Sequence, residues 1–287
     1  MLQSHSIQQV VDGVKDTNAN RQDVLVDPDG MVVTDVNNEP RLIVRSREVR
    51  DDFAMHPRTH RQLASRADVP FRFYERLYEE HTDLWERTVS ECLREHGRPL
   101  MLRTVAGEIR GIVSNRFRRL DHGSLLSHIL PILDEVGIDF DISSFHYDER
   151  TGSLEIKAML EVEGEVTKGD PVKYGLYIKN GEFGGHSLKV VPGLFRLVCS
   201  NGMISGTYPE TMNKRHIGGE MALDTRALYL DPPSPEDNEP VWRQVREFAE
   251  MLAQADSAEV FEDLLHRLRA SKNRTIETTP LRLALWL

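Results

Sequence analysis

The sequence predicts an α+β protein in which an antiparallel-dominated sheet packs against helices and is followed by a helical C-terminal tail. Three observations support this class. Short runs rich in β-branched residues come in pairs separated by turn residues, as in antiparallel hairpins. Two segments, 59–95 and 123–136, carry apolar residues at helical spacing. The strongest β run, 172–203, has the turn dipeptide Asn180-Gly181 within it.

The composition limits the class of protein before any motif is considered. The chain has 287 residues, of which 39% are hydrophobic and 29% charged, a balance typical of a globular protein with a core. It contains no apolar run long enough for a membrane span and no signal-peptide pattern, so we expect a cytoplasmic protein with no membrane partner. Two cysteines, Cys92 and Cys199, fit a reducing compartment. The net charge of −10 argues against a uniformly basic protein, although a local basic stripe is enough to bind nucleic acid.

Four segments are expected along the chain. Residues 1–22 are polar and lack periodicity, so we expect a mobile N-terminus. Residues 23–230 form the α+β core domain. Residues 231–240 have the composition of a proline-rich linker, DPPSPEDNEP. Residues 241–287 are expected to form a helical C-terminal tail, because apolar residues recur there at helical spacing.

The first part of the core domain is predicted to change from strands to helices. The β-rich runs 23–26 and 31–33 flank Asp27-Pro-Asp-Gly30, which predicts a hairpin because Pro and Gly occupy turn positions. Residues 41–45 predict a third short strand. The apolar spacing over 59–95 then predicts a helical layer that covers the sheet.

The next strands are again paired by turns: 100–105 with 108–114, and 139–147 with 153–162. Between these pairs, a wide apolar stripe predicts a helix over 123–136. Asp121 is expected to be the N-cap of this helix, and Pro131 is expected to bend the helix or to mark a break in it. The core domain would therefore be built mostly from hairpins, with one long helix between them.

Several peptides resemble the DUF932 family of phage- and plasmid-associated proteins. They occur in the same order as in that family: RADVPFRFYERL, LRTVAGEIRGIVSNRFRRLDHGSLLSHILPIL, the segment 175–190, FRLVCSNGM and KRHIGG. The resemblance covers roughly residues 59–220 and implies no catalytic residue, because the activity of the family is undefined. The element order is also similar to that of Rad52-type single-strand annealing proteins. That similarity implies a curved sheet on a helix and binding of single-stranded DNA along a basic groove.

The sequence feature best suited to nucleic acid is a cluster of arginines around one aromatic residue. Arginine binds phosphate through a planar fork and stacks on bases. The cluster consists of Arg110, Arg116, Phe117, Arg118 and Arg119. If the sheet brings a second region close, the stripe would be extended by Lys189, Arg196, Lys214, Arg215 and His216. The alternative is that these cations only pair with the many acidic residues of the chain.

Other candidate sites have weaker support in the sequence. The segment 181–185, GEFGG, lacks the spacing of a phosphate-binding loop and predicts a tight β turn. Cys199, at the end of an apolar strand, is more typical of a small buried hydrophobe than of a nucleophile served by His186 or His216. His56 and His60 have the spacing of a helical metal pair, but no second cluster of ligands accompanies them.

The leading hypothesis is a non-enzymatic protein of phage or plasmid type that binds single-stranded nucleic acid, in annealing or recombination, without a cofactor. One alternative is a metal-dependent nuclease or other phosphoryl-transfer enzyme that uses strand carboxylates: Asp139, Asp141, Glu155 and Glu161. Alternating acids are, however, also typical of a solvated strand face. A second alternative is a structural or decoy protein whose acidic surface is functional. Single-stranded nucleic acid is the expected partner, and a homo-oligomer is left open.

Overall fold

The computed structural model of the chain describes residues 7–46, 49–135, 145–196, 203–204, 212–221, 225–254, 262–263, 265–266 and 269–270. Within these residues the protein has helices packed on two mostly antiparallel sheets, which confirms the predicted α+β class. None of the helices in this part of the chain is both long and apolar enough to cross a lipid bilayer.

The described helices are α1 (Ile7–Ala19), α2 (Thr59–Arg66), α3 (Phe71–Glu80), α4 (Thr82–His96), α5 (His122–Glu135) and α6 (Pro235–Gln254). The first sheet has the strand order β13-β1-β5-β6-β4-β3-β2. Its strands are β1 (Arg21–Val26), β2 (Met31–Val36), β3 (Glu39–Arg45), β4 (Arg50–Met55), β5 (Leu100–Val105), β6 (Glu108–Ser114) and β13 (Ala227–Leu230). The second sheet has the order β11-β10-β9-β8-β7, with β12 also paired to β10. Its strands are β7 (Phe145–Asp148), β8 (Ser153–Glu165), β9 (Pro171–Gly181), β10 (Leu188–Arg196), β11 (Met203–Ile204) and β12 (Met212–Lys214).

One face of the first sheet is covered by α2, α3 and α4, which confirms the helical layer predicted over residues 59–95. Buried strand residues such as Val24, Leu42 and Ile112 pack there against Leu63 and Trp85 of the helices. Successive side chains of a strand point to opposite faces, so these residues share the face that the helices cover, while a smaller buried apolar cluster lies on the other face. The helical layer is therefore stabilised mainly by burial of apolar surface against the sheet.

The hairpin predicted around residues 27–30 was wrong, although both of its strands exist. β1 pairs with β5 and β13, whereas β2 pairs with β3 near the opposite edge of the sheet. Pro28–Gly30 form a 3₁₀ turn in which Asp27 accepts a hydrogen bond from the Asp29 N–H. The tight hairpin joins β2 to β3 instead. There Asn37 and Asn38 both have positive φ, at 58° and 64°, as a type I′ turn requires.

The second sheet packs one face against α1, α5 and α6. Leu154, Ile156, Ile178 and Val190 of the strands belong to this core, together with Trp242 of α6. In this part of the chain α5 spans His122–Glu135, close to the predicted helix, and it contains Pro131. The predicted strand over 139–147 is described only from Phe145 onward.

Both ends of the described chain differ from the expected segments. Helix α1 lies in the region expected to be mobile, and its Val10 and Val14 are buried against α5 and the second sheet. These two valines are four residues apart and share one helix face, but the polar residues around them hide the pattern. At the other end, α6 begins at Pro235, inside the expected linker, because proline is well tolerated in a first helical turn.

The turn between β9 and β10 reaches across to the first sheet. The Gln62 amide of α2 donates to the Phe183 carbonyl (2.7 Å) and accepts from the Ile112 N–H of β6 (2.8 Å). Gly111 is needed at this contact, since a Cβ there would lie 2.9 Å from the Phe183 carbonyl oxygen. The hairpin connection spans 182–187, so it begins later and is longer than the tight turn predicted over 181–185, and it docks one sheet onto the other.

Candidate nucleic-acid interface

A cluster of buried ion pairs joins the two sheets, and we call it the polar junction: Arg21, Asp23, Arg103, Arg119, Asp121 and Glu182. Arg103 on β5 is completely buried. Its guanidinium donates to Asp23 (Nε–Oδ1 3.0 Å), to Asp121 (Nη2–Oδ1 2.7 Å) and to the Glu182 carbonyl (2.7 Å). A buried charge is tolerated only when it is paired in this way. Arg103 therefore links β1, the start of α5 and the β9–β10 turn.

Arg21 closes the other side of the junction. Its guanidinium lies 3.0 Å from Asp121 Oδ2 and 2.7 Å from Glu182 Oε2. The contact with Glu182 is too poorly aligned for a hydrogen bond, so it is an electrostatic pairing. The other carboxylate oxygen of Glu182 accepts from the His122 N–H at the start of α5 (2.5 Å). Thus the Glu182 carboxylate accepts the hydrogen bond of the first N–H group of this helix. The carboxylate of Asp121, the predicted N-cap, pairs with Arg103 and Arg21 instead.

Arg103 and Asp121 are ionised within the polar junction. Burial alone would raise the pKa of Asp121, but Arg103 and Arg21 outweigh burial and hold that pKa well below its ordinary value. Burial alone would lower the pKa of Arg103, but Asp121, Asp23 and Glu182 raise it. Each of these two charges is thus kept by its partners, and removal of one partner would leave the other buried and uncompensated.

A second chain of hydrogen bonds extends the junction toward the predicted site. Asn180 Nδ2 donates to the Leu120 carbonyl (2.8 Å) and lies 3.1 Å from His122 Nδ1. Asn180 Oδ1 lies 3.1 Å from His216 Nε2, and His216 Nδ1 lies 2.9 Å from the Arg118 carbonyl. The Asn180-Gly181 pair, which the sequence marked for its turn chemistry, lies instead within strand β9, in register with Leu154 and Ser153 of β8. The buried Asn180 side chain holds residues 118–122 in place.

The structure brings together the two predicted basic segments, 116–119 and 214–216. The Arg118 N–H donates to the His216 carbonyl (3.2 Å), and the Gly218 N–H donates to the Arg116 carbonyl (2.7 Å). Phe117 and Ile217 form an isolated antiparallel bridge. Residues 116–118 and 216–218 are therefore paired through main-chain hydrogen bonds beside the polar junction.

Three of the predicted residues are engaged inside the protein. Phe117 is 8% exposed and stacks on His216, with nearly parallel rings 4.8 Å apart. Arg119 donates to the Asp231 carbonyl (2.6 Å) and lies 3.5 Å from Asp23. The buried Asn238 of α6 donates to the Arg119 carbonyl (2.9 Å), so the expected linker also holds this connection.

Four other predicted cations do not belong to the polar junction, and we call them the cationic patch: Arg116, Arg118, Lys214 and Arg215. Arg116 and Arg215 are exposed, and Arg118 and Lys214 are half-buried. Within the described residues no ion pair is recorded for any of the four. The patch therefore keeps its positive charge in a chain whose net charge is −10.

The remaining predicted cations lie elsewhere. Arg110 of β6 pairs with Glu108 (2.6 Å). Lys189 is exposed on the outward face of β10, in register with Lys179 of β9, which in turn pairs with Glu155 (2.7 Å). Arg196 lies in β10, but its side chain is outside what the structure describes.

The described residues give little support to the nuclease site on strand carboxylates or to a metal site. Glu155 is paired with Lys179, while Asp139, Asp141 and the Glu161 side chain are outside the described residues, as is Cys199. In the described part of the chain, no three His, Cys, Asp or Glu side chains are grouped so as to hold a metal ion.

The two histidines with helical metal spacing do not form a pair on one helix. His56 precedes α2, whereas His60 lies within it. His60 Nδ1 is 2.8 Å from the Tyr74 hydroxyl, and its ring is surrounded by Tyr74, Tyr78 and Trp85. Burial lowers the pKa of His60 to about 4, so its ring is neutral and serves the core.

No protein-family model, no curated protein and no solved structure matches this chain. The resemblance to the DUF932 family therefore rests on the sequence peptides alone and stays a prediction. The functional proposals that follow depend on the geometry and charge of this chain's own residues.

Proposed function

We propose that this protein binds single-stranded nucleic acid, mainly through its backbone phosphates, at the cationic patch. The observation that carries the proposal is the concentration of four cations without a recorded acidic partner on two connections that are held against each other. Phosphate oxygens are the natural partners of arginine, whose planar fork binds two of them at once.

The support beneath the patch favours binding of an extended chain. Arg116 and Arg118 flank Phe117, whose ring is fixed by stacking on His216. The backbone of this connection is bonded to residues 216–218, and the polar junction holds its far end at Asp121. Because the patch is already ordered, binding would cost less conformational entropy than ordering a loose loop. Phe117, Arg119 and His216 then act as positioning residues for the cations.

The acidic character of the chain determines how binding should depend on salt and on nucleotide sequence. With a net charge of −10, the chain as a whole repels a polyanion, so binding requires a local concentration of positive charge such as the patch. Affinity based on phosphate contacts falls steeply with salt, because bound cations release condensed counterions. We therefore expect little sequence preference and a strong dependence on ionic strength.

The test is a triple variant, Arg116→Gln, Arg118→Gln and Arg215→Gln, with fluorescence polarisation of labelled single-stranded DNA at several salt concentrations. The slope of log affinity against log salt should flatten by about 2, because each neutralised phosphate of a single strand accounts for about 0.7 of that slope. Arg119 is left unchanged because it belongs to the polar junction. The matched control is Arg72→Gln, Arg87→Gln and Arg243→Gln, which removes the same charge from exposed helix positions.

The proposal fails if the patch variant and the control variant bind with the same affinity and salt slope, or if the parent binds no single strand at low salt. A parallel incubation with magnesium, followed by gel electrophoresis, examines the enzymatic alternative. Cleavage of the strand would favour the nuclease hypothesis over simple binding.

A further inference from the structure

A second basic feature lies between the helical layer and the β9–β10 turn. A groove of about 670 Å³ opens between α2, the start of α3, strand β6 and the β9–β10 turn. Four arginines line it: Arg58, Arg61, Arg66 and Arg110. The groove shares no residue with the cationic patch, and the sequence suggested only Arg110 among its members.

The groove carries more positive than negative charge. Its lining contains one carboxylate, Glu75, and a second, Glu108, pairs with Arg110 at 2.6 Å. Four guanidinium groups thus face two carboxylates, which leaves an excess of two positive charges. Arginine stays ionised at any physiological pH, so this excess persists unless an anion neutralises it.

Two of the arginines are held in defined positions. Arg58 Nη1 donates to the Thr151 carbonyl of the β7–β8 connection (2.7 Å). The Arg61 guanidinium lies over the ring of Phe71, with its central carbon 4.1 Å from the ring centroid. Stacking on a ring leaves the in-plane N–H groups of a guanidinium free to meet oxygen atoms. The lining therefore presents pre-oriented donors.

Arg66, in the last turn of α2, is the most informative of the four. It is half-buried, and within the described residues no hydrogen bond or ion pair is recorded for its side chain. Burial lowers the pKa of Arg66, since it removes water from around the charged group. A guanidinium that has lost part of its water without gaining a partner is stabilised by any anion that enters the groove.

We propose that this groove binds a phosphomonoester group, such as that of a free nucleotide or of the phosphorylated end of a strand. A phosphomonoester carries about −1.5 to −2 charges near neutral pH, which matches the excess of positive charge in the groove. Arg66 and Arg110 contact the phosphate oxygens, and Arg61 on Phe71 borders the site. Inorganic phosphate shares the recognised chemistry and serves as the minimal probe. The proposal does not rest on nucleic-acid binding at the cationic patch, because a free mononucleotide tests it.

The experiment is isothermal titration calorimetry at low ionic strength with inorganic phosphate, adenosine 5′-monophosphate and adenosine. The first two should bind the parent, and adenosine should not. In the variant Arg66→Gln with Arg110→Gln, affinity for both phosphates should fall about tenfold or more, since two charge-assisted hydrogen-bond donors are removed. The control, Arg87→Gln with Arg94→Gln, removes the same charge outside the groove and, like the groove variant, includes one arginine paired with a glutamate; it should bind as the parent does.

A second variant guards against a folding defect. Ser65→Glu adds a carboxylate at an exposed α2 position in the groove lining and leaves every arginine in place, so it should also weaken phosphate binding.

Oligonucleotides with a 5′-phosphate or a 5′-hydroxyl distinguish the two possible ligands. Tighter binding of the phosphorylated strand indicates that the ligand is a chain end, and equal binding of the two strands indicates that it is a free nucleotide. The proposal is overturned if the parent binds neither phosphate, or if the groove variant and its control bind equally. A parent protein that binds adenosine 5′-monophosphate but no single strand contradicts the proposal for the cationic patch alone. A parent protein that binds single strands but neither phosphate contradicts the groove proposal alone.

Discussion

Replacement of Arg103 by methionine should destabilise the protein strongly and in a pH-dependent way. The substitution keeps much of the side-chain length but removes the charge that Asp23 and Asp121 share. Breaking a buried ion pair by removing one partner costs about 3–5 kcal/mol. Arg21 remains 3.0 Å from Asp121, so we expect the free energy of unfolding to fall by about 3 kcal/mol, at the lower end of that range.

The pH dependence follows from the direction of the Asp121 pKa. In the parent, the pKa of Asp121 lies below its ordinary value of 3.8 because Arg103 and Arg21 outweigh its burial. Its contribution to stability is therefore complete above 3.8 and is lost as the pH falls through the folded-state value. Without Arg103, the burial of Asp121 is opposed by Arg21 and Arg119 alone, so its pKa is higher than in the parent and the variant takes up a proton at a higher pH. The difference in stability between parent and variant should therefore shrink as the pH is lowered from 7 to about 4.

Urea denaturation followed by circular dichroism at several pH values measures this difference. The single variant Asp121→Asn and the double variant with Arg103→Met complete a thermodynamic cycle, and the coupling energy should be favourable by more than about 1 kcal/mol, as for residues of one buried network. A loss below about 1 kcal/mol for Arg103→Met, or a difference that grows toward low pH, would show that the junction does not stabilise the packing of the two sheets.

The remaining predictions concern packing and a buried histidine. Gly175→Ala should lower the free energy of unfolding by about 3 kcal/mol or more, because the new Cβ would lie 2.1 Å from the Ala158 carbonyl oxygen on the neighbouring strand. Gly219→Ala is the control: a Cβ there would have no atom within 4 Å, so urea denaturation should show almost no change in stability. Equal costs for the two substitutions would contradict the close approach of β8 and β9. His60 has its pKa lowered from 6.5 to about 4 by burial, so the unfolded chain binds a proton in this window that the folded chain does not. The free energy of unfolding should therefore decrease as the pH is lowered from 6.5 to about 4. His60→Gln should reduce the slope of this decrease by about 1.4 kcal/mol per pH unit, and an unchanged slope would refute the assignment.

Local patterns in the sequence were sufficient for much of the secondary structure. Strands β5 and β6 span Leu100–Val105 and Glu108–Ser114, as predicted, and α5 begins within one residue of the predicted helix. Such segments are identified from sequence because the period of their apolar residues, two in strands and 3.6 in helices, is a property of neighbouring positions. The basic segment 116–119 was noticed for the same reason, since its residues are consecutive.

The pairing of elements was decided only by the tertiary structure. The sequence placed β1 and β2 in one hairpin, but β1 pairs with β5 and β13, which follow much later in the chain. The partners of Arg103 in the polar junction lie 80 residues before it and 18 residues after it. Nothing in the residues around Arg103 or Asp121 indicates that they meet, because a charged residue on a strand has the same local pattern whether it faces water or a buried partner. Periodicity specifies which face of an element is apolar, whereas the choice of partner depends on how all elements bury their surfaces together.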